Sequence, residues 1–197
     1  LYKIEKKIED KNKSIKINAL LADIKNAKRV DTIFNENKPE IIFHAAALKH
    51  VPIVEKNPLE GILTNIFGTI NIAESCIKHN VTEMVLISTD KAVNPFSVMG
   101  VTKRISEKYC QSMSGTSKTN FKIVRFGNVL GSSGSVIPKF MEQIQKNEDL
   151  TITDRRMERF FMLTEEAVQL VLQSLTIARG NEVFVLDMGK PIKILDM

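Results

Sequence analysis

Short apolar runs alternate with segments of helical period along this chain, a pattern that predicts a parallel sheet covered by helices. Residues 14–21 read as a first strand and 25–37 as a helix. After Pro39, residues 40–44 form a short apolar run that suits a buried strand. In 57–79, Leu59, Ile62, Ile66, Ile70, Ala73 and Ile77 recur three and four residues apart, which puts one apolar face on a long helix. Residues 84–88 are the next strand. Asn94 and Pro95 read as the N-cap and first position of a helix that runs to about residue 113. A strand follows at 121–125.

The texture changes after Gly127. Residues 131–135 are glycine- and serine-rich and read as a flexible loop, 136–147 as a helix and 150–153 as a short strand. Thr164, Glu165 and Glu166 supply a cap and an acidic first turn for a helix over 164–178. Residues 182–186 are a final strand. No repeat or low-complexity tract interrupts the series. The chain opens on a helix-like segment, holds no GxGxxG, and stops at 191–197 as another element begins. The expectation is a fragment of a longer protein.

Composition narrows the class without naming a function. The 197 residues suit one domain or most of one, and 43% hydrophobic with 26% charged residues is ordinary for a soluble globular protein. No run of 18 apolar residues exists to span a membrane. The segment charged from Lys3 onward does not read as a signal peptide. A net charge of +5 is mildly basic, but the excess sits mostly in residues 3–16, which read as a solvated helix and turn. Aromatics do not interleave with the basic residues and nucleic-acid motifs are absent, so no nucleic-acid partner is expected. Cys76 and Cys110 fall in predicted helices without CxxC spacing and read as reduced structural thiols. His44, His50 and His79 lack metal-ligand spacing, and no metal site is expected.

Chemistry concentrates where the 84–88 strand ends. Ser88, Thr89, Asp90 and Lys91 put hydroxyls, a carboxylate and an amine at the C-terminal end of a parallel strand, the end at which open α/β sheets bind ligands. Met99 and Lys103 are four residues apart and share one helix face. Ala45, Ala46 and Ala47 follow the 40–44 strand; such small residues admit a flat cofactor ring and ribose, and tight helix–strand packing uses them as well. Lys49 in the same loop suits a phosphate or a sugar. Asp23, followed by Ile24, suits a hydrogen bond from an adenine amino group, with helix capping an equal contender. Asn128 suits the diphosphate or sugar of a substrate, or a turn. Arg155, Arg156 and Arg159 precede two phenylalanines, and arginine suits bidentate phosphate binding.

Together these residues resemble the extended short-chain dehydrogenase/reductases, in which a Ser…Tyr-x-x-x-Lys set does the chemistry; here Met99 stands at the tyrosine position. The stretches His44–Pro52, Asn57–Glu60, Ser88–Ala92, Arg125–Val129 and Met157–Met162 are similar to nucleotide-sugar 4,6-dehydratases of the polysaccharide-biosynthesis branch acting on UDP-N-acetylglucosamine. The methionine form resembles the larger, membrane-anchored members. Tyr109, six residues past Lys103, lies on another helix face and does not replace the phenol.

That resemblance implies a Rossmann-like, doubly wound parallel sheet truncated at both ends, its first βα unit missing. Residues 1–127 would be the nucleotide-binding sheet, 128–181 substrate-binding elements, and 182–197 the last strand and the start of a tail. NAD or NADP would be tightly bound and regenerated at each turnover, with Asp23, Ile24, Ala45, Ala46, Ala47 and Lys103 on the cofactor. Lys91 would be the base that removes the C5 proton and Asp90 the acid that protonates the departing C6 hydroxyl, tuned toward neutrality by burial and proximity. Lys103 with Ser88 or Thr89 would serve the C4 hydroxyl, since Met99 has no titratable group. Lys49, Asn128 and Arg159 would touch a UDP-sugar. A UDP-sugar 4-epimerase and a non-catalytic nucleotide-binding protein are the alternatives. Self-association and a cytoplasmic setting, or the cytoplasmic face of the inner membrane for a longer anchored protein, complete the expectation.

Overall fold

The computed structural model describes residues 1–132, 136–152, 154–177 and 182–197. Four strands build the main sheet: β1 (Ile41–His44), β2 (Glu83–Thr89), β3 (Asn120–Phe126) and β7 (Val183–Val185), adjacent in that order and all parallel. Parallel neighbours need crossovers, and helices supply them. Two small ladders lie beyond the sheet: β4 (Asn128–Val129) pairs with β6 (Phe161–Met162), and β5 (Glu158–Arg159) with β8 (Ile192–Lys193).

Strand alternation sends Met84 and Leu86 of β2 to one face, and Val85 to the other. The first face packs on Val30 and Phe34 of α2 (Ala27–Asn37), Ile72, Ala73 and Cys76 of α5 (Gly68–Lys78), and Cys110 of α6 (Val98–Met113). The second packs on Ala167 and Val171 of α8 (Thr164–Ile177). Burial on both faces explains the unbroken apolar run of β2, as parallel sheets require. The layout is the parallel α/β sheet expected from the alternation, with helices on both faces as the Rossmann-like fold implied by the resemblance has them. Of the remaining helices, α1 (Tyr2–Lys11) buries no residue, α3 (Val51–Lys56) and α4 (Pro58–Gly61) flank the loop after β1, and α7 (Val136–Gln145) follows β4. No helix among the described residues is long and apolar enough to cross a membrane.

Several expectations need correction. Residues 14–21 form no strand: β1 pairs with β2 alone, so no neighbour completes a ladder for them. The helix expected over 57–79 is three pieces, with a π-helical segment at Ile62–Phe67 between α4 and α5. Asn94 is not an N-cap. It sits in left-handed backbone at φ 42°, and Ser97 caps α6 by accepting from Gly100 N–H at 3.1 Å. Residues 150–152 form no strand; Thr153 lies outside the described residues, as do positions 133–135 of the expected loop and 178 of the last helix.

Candidate active site

The site lies at the C-terminal ends of β1, β2 and β3, where the strands open into loops. Thr89 ends β2 in extended backbone and caps a 3₁₀ turn at Asp90–Ala92, which holds Lys91 at the rim. A hydrogen-bond relay links the reactive groups. Thr89 Oγ1 donates to Asp90 Oδ1 at 2.8 Å, and Lys91 Nζ donates to the same oxygen at 2.9 Å and to Asn128 Oδ1 at 3.3 Å. Asp90 and Lys91 are each about one-third exposed, at 29% and 31%, so the pair is open to a ligand but shielded from bulk water.

Helix α6 comes close to this turn because residue 100 is glycine. A β-carbon there would collide with the Lys91 carbonyl oxygen. The approach buries Met99 and brings Lys103 beneath the strand end, where its ammonium donates to Ile87 O at 2.6 Å. Burial lowers the Lys103 amine to about 8, against a smaller upward pull from Glu107. An ammonium has three donors; among the described residues Ile87 O is the one acceptor Lys103 meets. The remaining donors suit the hydroxyls of a ribose. Ala45 and Ala47, with no bulk beyond Cβ, line the same space. These residues fit a nicotinamide ribose.

A cavity of about 540 Å³ collects Ala45, Ala47, Lys49, Ser88, Thr89, Lys91, Met99, Lys103, Asn128 and Arg159 on one wall system. Asp90 reaches it through Lys91 and itself faces a second cavity beside Arg125 and Asp187. Ala46 does not line the main cavity. Asp23 and Ile24 lie away from it: Asp23 is exposed and accepts from Lys25 N–H at 2.9 Å, and Ile24 O accepts from Asn71. Asn26, not Asp23, caps α2. Tyr109 turns to Glu74 at 3.2 Å.

Ser88 and Thr89 point to opposite faces of β2. The Ser88 hydroxyl donates inward to Glu107 at 2.6 Å, which leaves Thr89 as the hydroxyl beside Asp90 and Lys91.

Three groups carried no assigned role in the sequence, although Thr64–Asn65 is among the stretches similar to the dehydratases. Lys139 of α7 lines the main cavity, although its helix reads as ordinary amphipathic. Asn65, in the π segment, is buried and clamps the loop after β1: its side chain accepts from Leu48 N–H at 2.7 Å and donates to Leu48 O at 3.0 Å. Glu107 is fully buried, one helical turn after Lys103. The i, i+4 spacing of Lys103 and Glu107 was the available signal for the last. Behind the site, Thr69 gives its one proton to Asn65 O at 2.6 Å, so His44 Nε2, at 2.9 Å, donates to Thr69. Burial, helped by the Lys103 charge, drops His44 to about 4 and keeps it neutral.

Comparison with known proteins gives this geometry a family context. A family profile described as "Polysaccharide biosynthesis protein" matches residues 1–197. The chain is 55% identical over 179 residues to capsular polysaccharide biosynthesis protein CapD of Staphylococcus aureus, covering 90% of this chain and 30% of that protein. It is 38% identical over 169 residues to an inverting UDP-N-acetylglucosamine 4,6-dehydratase of Campylobacter jejuni, covering 84% and 50%. It is 40% identical over 187 residues to a UDP-glucose 4-epimerase of Rickettsia canadensis, covering 92% and 54%. The X-ray structure of Pen from Bacillus thuringiensis superposes with a TM-score of 0.91 at 40% identity, over 99% of this chain and 61% of that one. The chain thus spans about a third to a half of these curated relatives.

Proposed function

Because the chain belongs to the polysaccharide biosynthesis protein family, we propose that the protein carrying it is a nucleotide-sugar 4,6-dehydratase that converts UDP-N-acetylglucosamine to a 4-keto-6-deoxy sugar for surface polysaccharide or glycan synthesis. The observation that carries this reading is the Asp90–Lys91 pair, an acid and an amine 2.9 Å apart at the end of β2. Elimination of water across C5 and C6 needs a base for the C5 proton and an acid for the C6 hydroxyl, and this pair supplies both.

A bound nicotinamide dinucleotide, NAD or NADP, would take the hydride from C4 and give it back to C6. This chain's residues handle positions and protons. Lys103 holds the ribose through its free donors, and Ala45 and Ala47 leave room for the ring. Thr89 would hold the C4 hydroxyl, since Met99 has no titratable group, and through its hydrogen bond to Asp90 Oδ1 would pass the C4 hydroxyl proton to that carboxylate as the hydride leaves. Once C4 is a ketone, the C5 proton is acidic and passes to the Lys91 amine. Asp90, in its acid form, gives its proton to the C6 oxygen as the C6–O bond breaks and water departs. Lys91 is then an ammonium and Asp90 a carboxylate, 2.9 Å apart; as the hydride enters C6, Lys91 gives a proton to C5 and is an amine again. Asn128 Oδ1 keeps the amine aimed. Lys49, Asn128 and Arg159 form the side of the cavity proposed for the UDP-sugar. Self-association is part of the proposal. So is a cytoplasmic setting, or the cytoplasmic face of the inner membrane where a longer protein carries anchoring spans.

A second reading is a UDP-sugar 4-epimerase, favoured by the Rickettsia relative. An epimerase oxidises C4 but needs neither a C5 base nor a C6 acid. Incubating the complete protein with UDP-N-acetylglucosamine and following product mass separates the two. Loss of one water supports dehydration; an unchanged mass with a new stereoisomer rejects it.

A further inference from the structure

Among the described residues Glu107 is the one fully buried carboxylate, and the proton traffic proposed above makes no use of it. Four donors from three elements converge on it. Ser88 Oγ of β2 donates at 2.6 Å, Arg125 of β3 donates through Nε at 2.7 Å and through Nη2, and Arg104 Nη1 of α6 donates at 3.1 Å. One turn earlier on the same helix, Lys103 donates to Ile87 O. Residues four apart on α6 therefore grip consecutive residues of β2, and Thr89, Asp90 and Lys91 follow at once.

We propose that Glu107 is a positioning residue: by tying Ser88 and Arg125 to α6, it fixes the ends of β2 and β3 at the spacing from Lys103 that the reacting groups need. A buried ion pair is weak evidence for stability, because apolar packing serves as well. The direction of these bonds argues for more than stability. Three of the four, from Ser88 and Arg125, pin the strand ends that carry the candidate site, and the fourth, from Arg104, stays within α6.

Charge gives the proposal a second readout. Lys103 is faced by Glu107 and Cys110 on its own helix, by His44 at the end of β1 and by the Ile87 carbonyl on β2. Glu107 is the full negative charge in that set, and it favours the ammonium. Arg104 and Arg125 stay in place when Glu107 is neutralised, so Lys103 would then sit near uncompensated cations.

The test is Glu107→Gln in the complete protein, with Lys103 followed by ¹³Cε NMR titration and assigned with Lys103→Arg. Glutamine keeps the shape and loses the charge. The Lys103 titration is expected to move down by on the order of one pH unit. Turnover should fall about tenfold or more, with KM for the UDP-sugar changed less than about twofold, as for a group that aligns reacting atoms. A Lys103 curve superimposable on wild type overturns the proposal. Should Glu107→Gln not fold, Ser88→Ala carries the test, since it leaves both arginine pairs and frees only β2. It is expected to displace the Lys103 resonance; an unmoved resonance overturns the proposal. The turnover arm rests on the dehydratase reading and the NMR arm does not. Wild-type protein that releases no water ends that reading and leaves Glu107 to be judged by Lys103.

Discussion

The Lys91 side-chain nitrogen lies 2.9 Å from a carboxylate oxygen of Asp90, its immediate chain neighbour in the 3₁₀ turn at Asp90–Ala92, and this contact joins the main cavity, which Lys91 lines, to the one that Asp90 faces. Lys91→Ala should therefore abolish water release while the fold stays intact, a loss on the order of a thousandfold for removing a positioned base. Asp90→Asn, which keeps the size but has no proton to give, should cost a comparable factor. Product mass spectrometry with circular dichroism checks both. Turnover that survives Lys91→Ala would remove the proposed mechanism.

Lys103 sets an alkaline limit. Its amine is lowered from 10.5 to about 8, so the ammonium that donates to Ile87 O, and that the proposed function assigns to a ribose, is lost as pH rises through 8. The rate at low substrate should fall on that limb. Folding stability moves the opposite way. Between about 8 and 10.5 the unfolded chain binds a proton that the folded one does not, so this lysine's contribution to stability improves with pH across that window. Comparing Tm against pH for wild type and Lys103→Met checks the sign; parallel curves would refute it.

Gly100→Ala should damage the site from behind. The new β-carbon meets the Lys91 carbonyl, and backbone cannot swing aside as a side chain does. The expected cost is about 1–3 kcal/mol of stability, typical of overpacking, with turnover reduced at least tenfold as Lys91 is displaced. Denaturant melts and initial rates measure both. A fully active, equally stable variant would show that α6 and the turn do not depend on this contact.

His44 predicts acid sensitivity. Burial lowers it from 6.5 to about 4, so its contribution to stability is complete above 6.5 and is lost as pH falls from 6.5 toward 4, where the unfolded chain takes up a proton first. His44→Gln keeps a donor for Thr69 and should flatten this limb of a Tm profile between pH 4 and 7.5. Identical slopes in the two proteins would exclude His44 as the source.

Local pattern made much of this fold readable. The apolar run of β2 and the helical period of α5 and α6 are consequences of burial, and burial writes itself into every second or third residue. Residues 14–21 carry the same alternation, but a strand needs a neighbour, and that is a property of the sheet rather than of the segment. Asn94–Pro95 has the chemistry of a helix start, yet the left-handed turn at Asn94 delays α6 until Ser97 can cap it. Of the site, Thr89, Lys91, Met99 and Lys103 were legible because strand end and helix spacing bring them together. Glu107 was not, since a glutamate is ordinary on a helix until Ser88 and Arg125 arrive from elsewhere in the chain.

The wide turns of Ile62–Phe67 carry one further implication, for insertions and deletions. Two hydroxyls, from Thr69 and Ser106, converge on the Asn65 carbonyl, while the Asn65 amide holds Leu48. Removing one residue from this segment would let it wind as ordinary α-helix and rotate α4 against α5 by about 100°. Either Asn65 would leave the loop or Ile72 and Cys76 would leave the core. Chain length here is thus constrained independently of residue identity, and natural variation in this segment should take the form of replacements rather than gaps.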